Sequence, residues 1–249
     1  MPLPIASATP GATGCLLCGA DIVYARAAGP ATCSFCGAAA ASNARCSEGH
    51  YVCDLCHAAP ARDVIERFCA GTALVDPVEM AVSLMRHPAV KMHGPEHHFL
   101  VPAVLIAAWA NATGAAPAER GALVAEARRR SEPLLGGFCG IQGACGAGIG
   151  TGIFVSLATG ATPLAGKARA LANAMTARAL EAVAGTGGAR CCKRDSLLSI
   201  LAAARFAREE LGVALVARGR GCEHSARNAE CLDRACPFFR APPTPLPGL

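Results

Sequence analysis

The stretch Val101-Pro-Ala-Val-Leu-Ile-Ala-Ala-Trp-Ala-Asn-Ala-Thr-Gly114 carries no charge and ends on glycine. An apolar run of this length that stops at glycine reads as a buried helix with a left-handed cap. A helix apolar on all sides needs other helices around it, and the flanking sequence supplies them. Asp76-Pro-Val-Glu79 combines an N-cap, proline at the first helical position and Glu at the third, and His87-Pro88 ends that helix. Pro117 to Arg130 is amphipathic and stops before Pro133. Thr162-Pro163 opens a further helix reaching about Ala184. Asp195 or Ser196 caps the last long one, where Leu197, Leu198, Leu201 and Phe206 share a stripe and Gly212 marks the stop. Alternating strand patterns are confined to the N-terminal region. The expected fold class is therefore mainly α: a helical, bundle-like body at 59–220 behind a zinc-ribbon-like cysteine module at 1–58. A cysteine-containing tail follows at 221–249.

Composition narrows the function classes. Of the 249 residues 53% are hydrophobic and 16% charged, which excludes disorder for most of the chain. The net charge of +5 comes largely from scattered arginines, with only Arg128, Arg129 and Arg130 adjacent. That pattern gives no specific nucleic-acid signal. No charge occurs from Pro133 to Gly166, but ten glycines and two cysteines interrupt the stretch. It reads as a buried helix entered through a glycine-rich loop, and no membrane is expected. The opening MPLPIASATPGATG lacks the basic and apolar segments of a signal peptide, so a cytoplasmic chain with reduced thiols is expected. Fifteen cysteines cannot all pair within one chain, which favours metal or catalytic use.

Two near copies, Cys15-Leu-Leu-Cys18-Gly and Cys33-Ser-Phe-Cys36-Gly, each aim two thiolates at one point. Two such knuckles suit a tetrahedral Zn2+ and resemble a zinc ribbon. Cys46, His50, Cys53 and Cys56 supply four more ligands within eleven residues, with His57 adjacent. Sequential sites and cross-braced sites, in which alternate pairs share an ion, fit this spacing equally. A protein partner bound through the module is one functional reading.

The helical region holds three further candidates. Met92–Phe99 contains His93, Glu96, His97 and His98, which read as acid–base groups or ligands, or as a solvated loop with one histidine capping a helix. The glycine-rich Gly136–Gly150 segment carries Cys139 and Cys145. It can crowd amides onto an anion or cluster, or simply allow close helix packing. Cys191 and Cys192 stand beside Lys193 and Arg194 at a helix start, where cations and the helix dipole lower a thiol's pKa. The alternative is a pair of inert buried thiols, as Cys69 is expected to be. In the tail, Cys222, His224, Cys231 and Cys236-Pro237 read equally as a zinc site or as cluster ligands, since a cysteine followed by proline is familiar from ferredoxins.

Segment order adds a resemblance. Pro102-Ala-Val-Leu105, the Cys139/Gln142-Gly143 loop, Gly160-Ala-Thr-Pro163 and Cys191-Cys-Lys-Arg-Asp195 before Ala202-Ala-Ala-Arg205 occur in one order. That order is similar to the iron–sulfur-dependent L-serine dehydratase alpha region, over residues 92–212. The whole chain also resembles an uncharacterised cysteine-rich family. The dehydratase resemblance implies an all-helical fold and a [4Fe-4S] cluster held by three cysteines, with one iron left open. It places Cys139 and Cys191 as ligands, with Cys145, Cys192 or a tail cysteine replacing that family's middle ligand, whose position falls near Leu180. By analogy, a lyase would use His97 or His98 as base and Arg194 to bind a small carboxylate substrate, a hydroxy or thiol acid. A thiol redox or metal-handling protein and a non-catalytic zinc-ribbon adaptor are the other two readings.

Overall fold

The computed structural model describes residues 15, 17, 20–53, 56 and 60–240. Cys18, His57 and the opening segment read above for a signal peptide lie outside the described residues. Strand β1 (Ile22–Thr32) pairs antiparallel with β2 (Ala39–Cys46), Ile22 facing Cys46 and Thr32 facing Ala39. A register shift between Tyr24 and Gly29 bends the ribbon. The hairpin turn is the Cys33–Cys36 knuckle itself. There the Gly37 amide reaches back to the Cys33 carbonyl at φ +71°, a backbone region that favours glycine. Little of this sheet is buried: in β1 only Ala31 is, so side-chain packing contributes little to the hairpin.

Eight α-helices follow among the described residues: α1 (Ala61–Gly71), α2 (Pro77–Arg86), α3 (Glu96–Thr113), α4 (Pro117–Ser131), α5 (Phe138–Ile141), α6 (Gly146–Thr159), α7 (Gly166–Thr186) and α8 (Cys192–Glu210). Helix α3 is the axis of the body. Every residue from Glu96 to Ala108 is buried, and α1, α2, α4, α6 and α8 pack around it. It ends on Gly114 at φ +74°, as the sequence predicts. Asp76 caps α2, its Oδ1 accepting from the amides of Val78 (2.9 Å) and Glu79 (3.2 Å). Its other oxygen takes the Arg218 amide at 3.1 Å, fastening the strap before the tail. Gly212 closes α8 at φ +69°, with the Val213 amide reaching back to the Ala207 carbonyl. The body is mainly helical, and no helix among the described residues is long and apolar enough to cross a membrane.

Three helix starts differ from expectation. Helix α3 begins at Glu96 and not at Val101, so His97 and His98 are buried within its first turn and are not in a solvated loop. Helix α7 begins at Gly166, because Thr162 closes a separate turn by accepting the Ala165 amide. Helix α8 begins at Cys192, not at Asp195 or Ser196. Its cap is the Cys191 sulfur, which accepts the Arg194 amide at 3.5 Å.

Glycines in α6 decide how closely it docks. A Cβ on Gly146 would lie 2.3 Å from the His98 ring, and one on Gly150 would lie 2.7 Å from Pro102 Cδ. Gly148 and Gly152 face α7, against Leu180 and Thr176. Spaced by four, the two pairs form two flat faces, one for each neighbouring helix. Pro102 helps: lacking an amide, it leaves the His98 carbonyl free within α3, and Ser131 Oγ donates to it at 3.4 Å. Close packing, rather than anion binding, is thus the part these four glycines play.

Candidate metal and thiol centres

The hairpin sets which ligands meet. Because Ile22 pairs with Cys46, Cys15 arrives beside Cys46 and His50 at one end of the ribbon. The Cys33–Cys36 knuckle lies at the other end, where a bridge from Cys33 to Tyr51 brings Cys53 and Cys56 alongside. The sulfurs of Cys33, Cys36, Cys53 and Cys56 all lie within 4.8 Å of one another, as do the ligand atoms of Cys15, Cys46 and His50. Alternate segments therefore share a site, in a cross-braced pattern, and Cys15 does not gather with Cys33 and Cys36. Either group can hold a metal ion.

Backbone amides donate to these sulfurs: Cys53 N–H to Cys33 Sγ (3.3 Å), His50 N–H to Cys46 Sγ (3.2 Å) and Leu17 N–H to Cys15 Sγ (3.4 Å). Burial opposes ionisation of Cys33, yet the amides of Cys53, Cys36 and Phe35 overcome it and bring its pKa down to about 7. One thiolate of the four-sulfur group is thus available near neutral pH. Burial, with the neighbouring thiols Cys36 and Cys53, pushes Cys56 up. Phe35 seats the module on the body, its ring 5.4 Å from Phe68 and edge-on to His87. His87 Nε2 in turn lies 2.9 Å from the Cys56 carbonyl.

In the body the adjacent cysteines at the start of α8 face different ways. Cys192 feels the fields of Cys145 and Cys139, and the Gly94 amide donates to it. Cys191 faces the tail: it lines one cavity with Cys222, Cys231 and Cys236. The expectation of lowered thiol pKa values is reversed here. Burial outweighs the cations and the helix start, raising Cys191 and Cys145 and lifting Cys192 to about 11. Cys69 is wholly buried, and burial raises its pKa too.

The histidines part company as well. His97 is buried, with Nε2 donating to the Lys91 carbonyl at 3.1 Å and Nδ1 lying 3.3 Å from Ser196 Oγ. His98 Nδ1 donates to the Leu134 carbonyl at 3.0 Å, which leaves Nε2 as its basic nitrogen, facing the start of α6 at Gly146. His93 Nε2 lies 3.1 Å from Asn228 Oδ1 and 3.2 Å from Glu230 Oε2, and its Nδ1 is buried without a hydrogen-bond partner among the described residues. In the sequence His93 stands among the candidate acid–base groups or ligands, and Asp195 stands only as a candidate helix cap. The signal for both is their place beside Gly94 and Cys191-Cys192. Arg194 is buried and occupied, bonded to Asp195 Oδ1 and to the Ala189 carbonyl, each at 3.0 Å.

Burial, then the field of Lys193, holds the His97 pKa down at about 3. An unfolded histidine titrates near ~6.5, so on acidification the unfolded chain takes up its proton first. The His97 contribution to stability is thus complete above pH ~6.5 and is lost progressively as the pH falls toward the folded value. His97→Gln is expected to flatten the loss of stability between about pH 6 and pH 4, read by urea unfolding across that range. An unchanged slope would refute this.

Residues 65–239 match the model of a family described as "Family of unknown function (DUF5714)". The chain belongs to that family. No curated protein and no solved structure matches it, so the dehydratase resemblance gains no support from these comparisons.

Proposed function

We propose that this member of the family is a metalloprotein with two kinds of centre. Two Zn2+ ions hold the N-terminal module, one at Cys33, Cys36, Cys53 and Cys56, the other at Cys15, Cys46 and His50, with Cys18 offered as a further ligand by the Cys15-Leu-Leu-Cys18 spacing alone. A second, iron–sulfur centre is held in the helical body by Cys139, Cys145 and Cys192. The observation that carries the reading is the convergence of four sulfurs within 4.8 Å, a donor set suited to zinc.

For the body centre, the fit rests on donor chemistry. Cys139, Cys145 and Cys192 lie where α5, α6 and α8 begin, and Cys192 feels the fields of both other thiols. A three-thiol set leaves one metal position for an exchangeable ligand, which supplies Lewis acidity to a bound hydroxyl.

Elimination from a small hydroxy or thiol acid is the second reading, and His98 favours it. Its Nδ1–H is fixed on the Leu134 carbonyl, so Nε2 is oriented to accept a proton beside the start of α6. Arg194 is already paired and is not assigned a substrate here.

Metal and sulfide analysis after anaerobic purification tests the proposal. Zinc, iron and acid-labile sulfide are expected together. Cys33→Ser should lower zinc alone, and Cys145→Ser should lower iron alone. A colourless, iron-free chain whose metal content is untouched by Cys145→Ser would remove the body centre. Zinc unchanged in Cys33→Ser would remove the module sites.

A further inference from the structure

The tail cysteines lie far from the N-terminal module in sequence, yet their turns repeat its local chemistry. Cys222 Sγ accepts the amide two residues on, from His224, at 3.3 Å, and Cys231 Sγ accepts that of Asp233 at 3.4 Å. This is the bond that Leu17 makes to Cys15 in the module. Asp233 pays for its turn with a φ of +46°, the one positive φ outside glycine among the described residues. Aspartate is among the few non-glycine residues that adopt this region readily, so the turn is set by local backbone chemistry. The Cys222 amide bonds to the Phe238 carbonyl, which closes the segment into a loop over the start of α8.

All three tail thiols and Cys191 line a single cavity. Two observations bear on an occupant. The first is spacing. Among the described residues, three or more His, Cys, Asp or Glu ligand atoms close to within 4.8 Å only in the N-terminal module. The four thiols around this cavity are therefore spread wider than a lone zinc ion needs, as the ligands of a polynuclear cluster are.

The second is charge. Lys193 also lines the cavity, is 2% exposed, and rests its ammonium on the carbonyls of Met85 (3.2 Å) and Val90 (3.4 Å). It has no carboxylate at ion-pair distance among the described residues. Burial lowers its pKa to about 8, while the fields of Cys222 and Cys191 favour its charged form, so negative charge held on those sulfurs is matched by the ammonium.

We infer that Cys191, Cys222, Cys231 and Cys236 bind a cubane iron–sulfur cluster, with Lys193 balancing its negative charge. On ligation the four thiols lose their protons to solvent and each sulfur takes one iron, which leaves no open iron for substrate. This centre is therefore a fully ligated one, distinct in role from the three-thiol centre proposed above, and it does not rest on that reading.

Two measurements on the full-length protein test it. In anaerobically purified protein, Cys231→Ser and Cys236→Ser should each lose about four irons with matching sulfide, while zinc and the far-ultraviolet helical signal stay constant. Cys145→Ser should keep those irons. Alkylation of the unmutated protein gives the answer even if the variants fold poorly. Cys191, Cys222, Cys231 and Cys236 should be protected together under anaerobic conditions and become reactive together once air destroys the cluster. Unchanged iron in both serine variants, zinc recovered at these cysteines, or independent alkylation of the four would each overturn the inference.

Discussion

Stripping metal from the N-terminal module at neutral pH is expected to unfold residues 20–56 while the helices remain. The reason lies in what the module lacks. Its two strands are largely exposed, and its described buried residues are chiefly cysteines, joined by Ala31 and Phe35. A two-stranded ribbon alone is marginal in water. Bound zinc contributes on the order of 10–16 kcal/mol in small zinc-folded peptides, more than such a hairpin needs. Cross-bracing would increase the effect, because an ion in either group ties one end of the ribbon to a segment from elsewhere in the chain. A strong chelator should therefore release the zinc, open the module to limited proteolysis and leave most of the far-ultraviolet helical signal. Cys33→Ser and Cys53→Ser should mimic the chelator. A zinc-free module that resists protease as well as the metallated one would contradict this.

Gly150→Leu and Gly152→Val are expected to be the most damaging single changes in the helical body, each costing about 3 kcal/mol or more through overpacking. At Gly150 even a Cβ meets Pro102 Cδ at 2.7 Å and the His98 carbonyl at 3.0 Å. Neither neighbour can swing away, since one is a ring and the other backbone. At Gly152 the obstacles are Thr176 Oγ1 and the Ala172 carbonyl at 3.1 Å. Gly121 in α4 is the control, because a Cβ there meets nothing within 4 Å. Gly121→Ala should raise stability by roughly 0.5–1 kcal/mol through helix propensity. Urea midpoints of the variants settle the matter. Equal effects at Gly121 and Gly150 would show that docking on α3 does not limit α6.

The helices were legible where the chain carries its own punctuation. Asp76-Pro77, Gly114, Pro117 and Gly212 mark ends by local chemistry that holds whatever packs nearby. The start of α8 was not, because a cysteine sulfur is a weak acceptor and Asp195 offered a stronger cap on paper. The module's ligands could be named from spacing, but their grouping could not. Spacing measures separation along the chain, and both groupings close equally well there. Only the register of the hairpin, Ile22 against Cys46, decides between them. Likewise, Cys191 and Cys192 look like one site in sequence. The helix that follows turns neighbouring side chains by about 100°, and they separate into two environments.

One consequence follows from the composition of α6. Its first seven residues hold four glycines, each disfavouring helix by about 1 kcal/mol relative to alanine. This segment owes its helical state to α3 and α7 and has little tendency to persist without them. Cys145 sits at its cap, so whatever binds that thiol also draws on the free energy that orders the turn behind it. A ligand at Cys145 would thus be thermodynamically linked to the order of the first turn of α6.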